Sequence, residues 1–145
     1  MAYWDTSALI KLYASELDSE YFLELAAEAD EAIVSSAVAS TEVLCVLHRK
    51  EHARVLRRGG AMRLLRQFRA DVQSSRILLI PYERDVETES EKLAALAFRG
   101  PRPILIRSLD LIHVCSALAC RAGRMVATDA RLRSVARLAQ LDVMP

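Results

Sequence analysis

Ala2-Tyr3-Trp4-Asp5-Thr6-Ser7-Ala8-Leu9-Ile10 opens the chain with three apolar residues, an acid, and then apolar residues at helical spacing. Ala2–Trp4 reads as a short strand, and Ser7–Ala14 as a short helix carrying Leu9, Ile10 and Tyr13 on one side. Asp5 stands at the join. The same order returns near the other end, where Met125–Thr128 reads as a strand, Asp129 follows it, and Ala130–Ala139 reads as a helix.

Between these ends the two periodicities keep alternating. Leu17–Ala29 is an amphipathic helix through Tyr21 and Leu25, Ala32–Ser35 a strand, and Ala37 to His52 a strongly apolar helix. Gly59-Gly60 interrupts the pattern, which resumes in Ala61–Gln73 with Leu64, Leu65, Phe68 and Val72 on one face. Ile77–Ile80 is a third strand closed by Pro81, and Glu83–Phe98 a helix whose first turn is acidic, as the helix dipole favours. Gly100-Pro101-Arg102-Pro103 reads as a loop, and Ile104–Ile106 suits strand and coil equally. Leu109–Ala122 is a helix stopped by Gly123, and Leu141–Met144 a short last strand. Strands alternating with helices predict an α/β fold, with helices on both faces of a mainly parallel sheet of four to five strands.

A length of 145 residues suits one domain over 1–145 with a core of its own. No apolar run approaches the length of a membrane span, and Met1-Ala2-Tyr3-Trp4-Asp5 lacks the basic region and apolar stretch of a signal peptide, so a cytoplasmic location is expected. Cys45, Cys115 and Cys120 form no Cys-x-x-Cys pair and sit in apolar helical segments, where they are expected to be buried small hydrophobes. Net charge is only +1, yet Arg49, Lys50, Arg54, Arg57, Arg58, Arg63, Arg66 and Arg69 crowd one stretch whose single acid is Glu51. Such a stretch can steer a nucleic-acid backbone or serve as a solvated helix face.

In open parallel sheets, ligands bind beyond the carboxyl ends of the strands. Asp5 and Asp129 follow strands directly and belong on that edge. Glu42 lies about five residues into the helix after the second strand, which at a rise of about 1.5 Å per residue keeps it within roughly 8 Å of the edge. Asp110, in the first turn of its helix, joins them if that helix packs the same way round. Singly, Asp5 and Asp129 suit helix N-caps and Asp110 suits a helix dipole. Glu42 fits such a role less well. Its helical neighbours Val38, Ala39, Cys45 and Val46 are apolar, and its available partner on the same helix is Arg49. Together the four acids need a cation, because two like charges 4 Å apart repel by roughly 4 kcal/mol at an effective dielectric of 20. Oxygen ligands alone favour Mg²⁺ or Mn²⁺ over zinc, and such an ion can activate water against a phosphodiester.

At these residues the chain resembles the PIN-domain nucleases, and especially the VapC-like toxins of type II toxin–antitoxin pairs. Tyr3-Trp4-Asp5-Thr6-Ser7-Ala8-Leu9 resembles that family's first acidic motif, and Ser36-Ala37-Val38-Ala39-Ser40-Thr41-Glu42-Val43 its second. Ser108-Leu109-Asp110-Leu111-Ile112-His113-Val114 resembles the third, and Val126-Ala127-Thr128-Asp129 with Leu132 the fourth. Order and spacing agree over essentially the whole chain. The resemblance implies a three-layer α/β/α PIN-like domain and a Mg²⁺- or Mn²⁺-dependent endoribonuclease site. It also implies a homodimer and a cognate VapB-like antitoxin as partner. Carried over by position, Asp5, Glu42, Asp110 and Asp129 become the catalytic metal ligands. The mechanism expected for such a set has Asp5 and Asp110 binding the main ion directly, with Glu42 and Asp129 binding through water or holding a second ion. Thr6 or Ser7, with Thr128, become the supporting hydroxyls. Within the basic stretch, Arg49, Lys50, Arg54, Arg57 and Arg58 are the candidates to steer RNA, with a solvated helix face as the equal alternative. The fourth acidic position varies within the family, and bulky Trp4 departs from its pattern.

Other chemistries leave traces too. His48-Arg49-Lys50-Glu51-His52 fits the H-x-x-E-H zinc-peptidase pattern, but no third ligand is fixed and the chain is short for such an enzyme. An aspartyl-phosphate phosphatase would want an acid where Ser7 stands, and a receiver-like domain an acid after Ile80. A serine hydrolase lacks its Gly-x-Ser-x-Gly elbow. His113 follows Asp110 by three residues and could touch the site, though a hydrogen-bonded core histidine is the expectation. From another class stands a catalytically silent PIN-like module that binds RNA or a protein partner.

Overall fold

The computed structural model describes residues 1–29, 31–99, 101 and 103–145; Gly100 and Arg102, in the expected loop Gly100–Pro103, lie outside that set. The opening stretch folds as anticipated into β1 (Ala2–Trp4) and α1 (Thr6–Leu9), extended by a 3-10 turn over Ile10–Leu12. Then follow α2 (Ser19–Glu28), β2 (Ile33–Ser36), α3 (Ala39–His52), α4 (Gly60–Gln73), β3 (Ile77–Ile80) and α5 (Arg84–Ala97). The chain ends through α6 (Ser108–Ala119), β4 (Arg124–Val126), α7 (Ala130–Leu138) and β5 (Asp142–Met144). Ile104–Ile106 joins no strand, and Asp142–Met144 does.

All neighbouring strands run parallel, in the order β3-β2-β1-β4-β5. Alternation along each strand sorts the side chains into two cores. Trp4, Val126 and Ile77 pack against α1 to α4, while Tyr3, Val34 and Met125 pack against α5 to α7. Helices therefore cover both faces of the sheet in three layers, as the alternating pattern predicts. Trp4, the departure from the family's first motif, is a core residue here, 2% exposed and edge-on to Phe22 at a centroid distance of 6.2 Å.

The strand order decides where a ligand crevice opens. From β1 the chain steps outward to β2 and β3, then returns to the other side of β1 to lay down β4 and β5. The segments leaving β1 and β4 consequently depart to opposite faces, α1 to the first core and α7 to the second. Between their carboxyl ends lies the switch point at which such sheets hold ligands. Asp5 leaves one side of it and Asp129 the other.

Three local expectations need correction. Cys45 is exposed rather than buried; Cys115 is buried and Cys120 partly so. Thus the α3 face around Glu42 is less closed than its apolar neighbours suggest. Helix α6 stops at Ala119, short of Gly123, because Arg121 takes the left-handed turn with φ 57°. Arg121 N donates to Leu118 O and Ala122 N to Ala117 O, which satisfies the last carbonyls without glycine. Finally, the strand expected over Met125–Thr128 ends at Val126.

Candidate active site

Asp5 caps α1. Its Oδ1 accepts from Ala8 N at 3.1 Å and from Ser7 Oγ at 2.7 Å. Asp129 caps α7 in the same manner, with Oδ1 accepting from Arg131 N at 2.9 Å and Leu132 N at 3.0 Å. The ordinary role of an acid between strand and helix is thus fulfilled, and in both residues by one oxygen. Ser7 ties the two strand ends together, because its hydroxyl also accepts from Thr128 N at 3.0 Å and Thr128 Oγ1 at 2.8 Å. Ser7 and Thr128, matched to supporting positions by their motifs, therefore meet.

Glu42 sits in the first turn of α3 and reaches toward α1 and α6. Its Oε2 accepts from Thr6 Oγ1 at 2.5 Å and lies 2.6 Å from His113 Nε2. The main partner of Glu42 is therefore His113 on another helix, with Arg49 contributing only a weaker attraction. Burial pushes the Glu42 carboxyl up, but the His113 and Thr6 contacts outweigh it and hold it below the ordinary value. His113 is a hydrogen-bonded core histidine, 2% exposed, and it also touches the site. The motif spacing held that signal, since three residues on a helix put His113 on the same side as Asp110.

Asp110 stands in the first turn of α6. Burial raises its carboxyl above the ordinary range, and repulsion from Asp129 and Glu42 raises it further, against partial relief from Arg107 and His113. Oδ2 of Asp110 is buried and has no hydrogen-bond partner among the described residues. Asp5 is also raised, chiefly by burial, with His113, Ser7 and Ala8 pulling the other way. Asp110 therefore feels Asp129 and Glu42, while Asp5 is tied to the Asp129 segment through Ser7 and Thr128. A buried carboxylate oxygen without a donor, near other carboxylates, suits a hard cation. As the side chains stand, however, no three His, Cys, Asp or Glu among the described residues converge closely enough to hold a metal ion.

The basic stretch divides. Lys50 is drawn into an internal pair with Glu16 at 2.6 Å, and Glu16 also holds Lys11 at 2.8 Å. Arg49, Arg54, Arg57 and Arg58 are exposed and make no ion pair among the described residues. Within the H-x-x-E-H match, the Glu51 carboxylate accepts from Gly59 N at 3.1 Å and Ala61 N at 2.8 Å, so it caps α4. A cavity of about 700 Å³ lies away from the acids, where Ile33 and Ile77 begin their strands beside α2 and α4. Among the described residues no helix is long and apolar enough to cross a membrane.

Comparison with known proteins bears on this arrangement. No curated protein matches the chain. Among the solved structures that share its fold are two of VapBC. One is a chain of VapBC2 from Rickettsia felis, crystallised bound to a DNA fragment from their promoter, with TM-score 0.61 and 20% identity over 99% of this chain and 98% of that one. The other, a chain of VapBC-1 from nontypeable Haemophilus influenzae, gives TM-score 0.69 and 17% identity over 99% and 97%. Identities this low speak for the fold alone. The sequence model of the PIN domain matches residues 2–138, a span that contains all four acids, and the chain accordingly belongs to the PIN-domain family.

Proposed function

We propose that this chain is a Mg²⁺- or Mn²⁺-dependent endoribonuclease that hydrolyses RNA phosphodiester bonds, and that it is the toxin of a type II toxin–antitoxin pair. The observation that carries the reading is Asp110, whose buried oxygen has no hydrogen-bond partner among the described residues and whose raised carboxyl feels the like charges of Asp129 and Glu42. PIN-domain nucleases generally use divalent metals, which agrees with that donor chemistry.

In this reading Asp5 and Asp110 hold the ion, with Glu42 and Asp129 beside them. The ion supplies charge neutralisation on the phosphate and an activated water. Ser7 and Thr128 keep the ends of β1 and β4 together, which holds the spacing of Asp5 and Asp129. Oδ1 of each of those acids stays with its helix cap, leaving Oδ2 to turn inward. Exposed Arg49, Arg54, Arg57 and Arg58 attract the RNA backbone, while Lys50 serves the fold through Glu16. A VapB-like antitoxin belongs to the same proposal, supported by the fold shared with VapBC structures, and a homodimer and a cytoplasmic setting are proposed with it from the sequence motifs alone.

A second reading has its own observation. The acids do not converge as they stand, which favours a catalytically silent module that binds RNA or a protein partner. Incubating the chain with RNA in Mn²⁺, with and without chelator and beside Asp5→Asn, separates the two. The nuclease reading expects cleavage that both chelator and substitution abolish. RNA that stays intact, or is cut equally by Asp5→Asn, refutes it.

A further inference from the structure

We propose that His113 is a positioning residue that locks Glu42 in one orientation at the metal site, with Tyr3 and Thr6 fixing the polarity of the hydrogen bonds that hold it. The inference rests on the reading of Glu42 as part of that site and adds to it a device built from the core.

His113 uses both ring nitrogens. Nε2 lies 2.6 Å from Glu42 Oε2, and Nδ1 lies 2.8 Å from the Tyr3 hydroxyl. An ionised carboxylate only accepts, so the proton on Nε2 is assigned to the Glu42 contact. Turning the ring over would set carbon atoms against both partners. Thr6 Oγ1 donates to the same Glu42 oxygen at 2.5 Å. With two donors on Oε2, no hydrogen bond among the described residues falls on Oε1. A glutamate has several rotatable bonds to order when it meets an ion, and one already held presents its free oxygen without that loss.

The support continues inward. Tyr3 is fully buried on β1 and meets the imidazole edge-on, at 5.9 Å between ring centroids and 72° between planes. Ser35 and Ser36 of β2 and Ser116 of α6 are fully buried and lie around the Tyr3 hydroxyl. Ser116 Oγ donates to Ser36 Oγ at 3.2 Å, while buried Ser35 Oγ has no partner among the described residues. A polar chain thus runs from the strand interior to Glu42 through a layer otherwise built of Val34, Val114 and Met125. Apolar residues of similar volume fill such a layer with less desolvation. Orientation of Glu42 is what the polar chain supplies in return.

The test is the Mn²⁺ dissociation constant of the full chain, measured by titration calorimetry at fixed pH, with thermal melts to follow folding. His113→Leu is expected to weaken binding about tenfold or more, the scale seen when groups behind metal ligands are removed. Tyr3→Phe, which removes one hydroxyl and spares the packing, weakens it in the same direction by less. His113→Gln, which keeps a donor near the Nε2 position, recovers part of the loss. In a Glu42→Gln background, His113→Leu adds nothing further. The inference is overturned if His113→Leu and Tyr3→Phe bind as the parent does while Asp5→Asn and Glu42→Gln lose affinity. It is also overturned if His113→Leu costs as much without Glu42 as with it. A parent chain that binds no Mn²⁺, or an Asp5→Asn variant that binds it unchanged, removes the site itself and this inference with it.

Discussion

Ser7 is where two distant segments of the chain meet. Its one hydroxyl gives a hydrogen to Asp5 and receives two from Thr128. Ser7→Ala leaves the Thr128 N–H without its acceptor and Asp5 Oδ1 with the Ala8 N–H alone. A loss of about 1–2 kcal/mol in unfolding free energy is expected, readable in urea titrations. Activity falls with it, because the spacing of Asp5 and Asp129 depends on this contact. Asp110 behaves in the opposite sense. Its raised carboxyl means the folded chain takes up a proton more readily than the unfolded one, so stability falls as pH rises from 3.8 through the raised value. At neutral pH the ionised group therefore works against the fold. Asp110→Asn is expected to lift the melting temperature in chelator by roughly a few degrees while abolishing RNA cleavage, as groups strained for function do when relieved. An unchanged melting temperature together with full cleavage contradicts both halves of that expectation.

Among elements, the ends of helices were the hardest to read from sequence. Glycine marks a helix stop in most patterns, yet α3, α4, α6 and α7 turn out of the helix at Arg54, Ser75, Arg121 and Gln140, all with positive φ. Each turn closes the same pair of backbone hydrogen bonds, so the geometry of a glycine stop is present without the residue that signals it. Arg121→Gly relieves the left-handed strain and is expected to stabilise the chain by up to about 1 kcal/mol, measured by urea midpoint. Ion pairing between elements was likewise hidden. Glu16, in the link before α2, joins Lys11 to Lys50 of α3. Burial pushes the Glu16 carboxyl up, but the two lysine contacts prevail and hold it below its ordinary value of 4.5. A depressed carboxyl contributes stability above the ordinary value and loses it as pH falls through the lower folded one. Glu16→Gln should therefore unfold at lower urea than the parent at pH 7, with the gap closing as pH drops below 4.5. A gap that stays constant into acid would show that the carboxylate charge has no part in it.

At the scale of the molecule, the alternating pattern was enough to predict parallel strands with helices on both faces, because period two and period three to four are set by local geometry alone. Strand order was not legible, since nothing in Ile77–Ile80 or Met125–Thr128 says which side of β1 each will take. That order places the candidate site, by sending α1 and α7 to opposite faces and setting the switch point between Asp5 and Asp129. The acids themselves could be read from their places beside strands and helix starts. For His113 the sequence offers both the core and, through its spacing from Asp110, the site, but a histidine among Val114 and Cys115 gives no hint that a glutamate from another helix will come to meet it. Arg49, the partner expected for Glu42, lies on the same helix, and sequence favours such local pairs over distant ones.

A crystal grown with Mn²⁺, measured at an energy where manganese scatters anomalously, reads out whether these carboxylates hold an ion. An anomalous peak is expected at the switch point, about 2.1 Å from oxygens of Asp5 and Asp110, with Glu42 and Asp129 within reach of the ion or its waters. A peak elsewhere, or none while Asp110 Oδ2 stays buried and without a partner, contradicts that expectation.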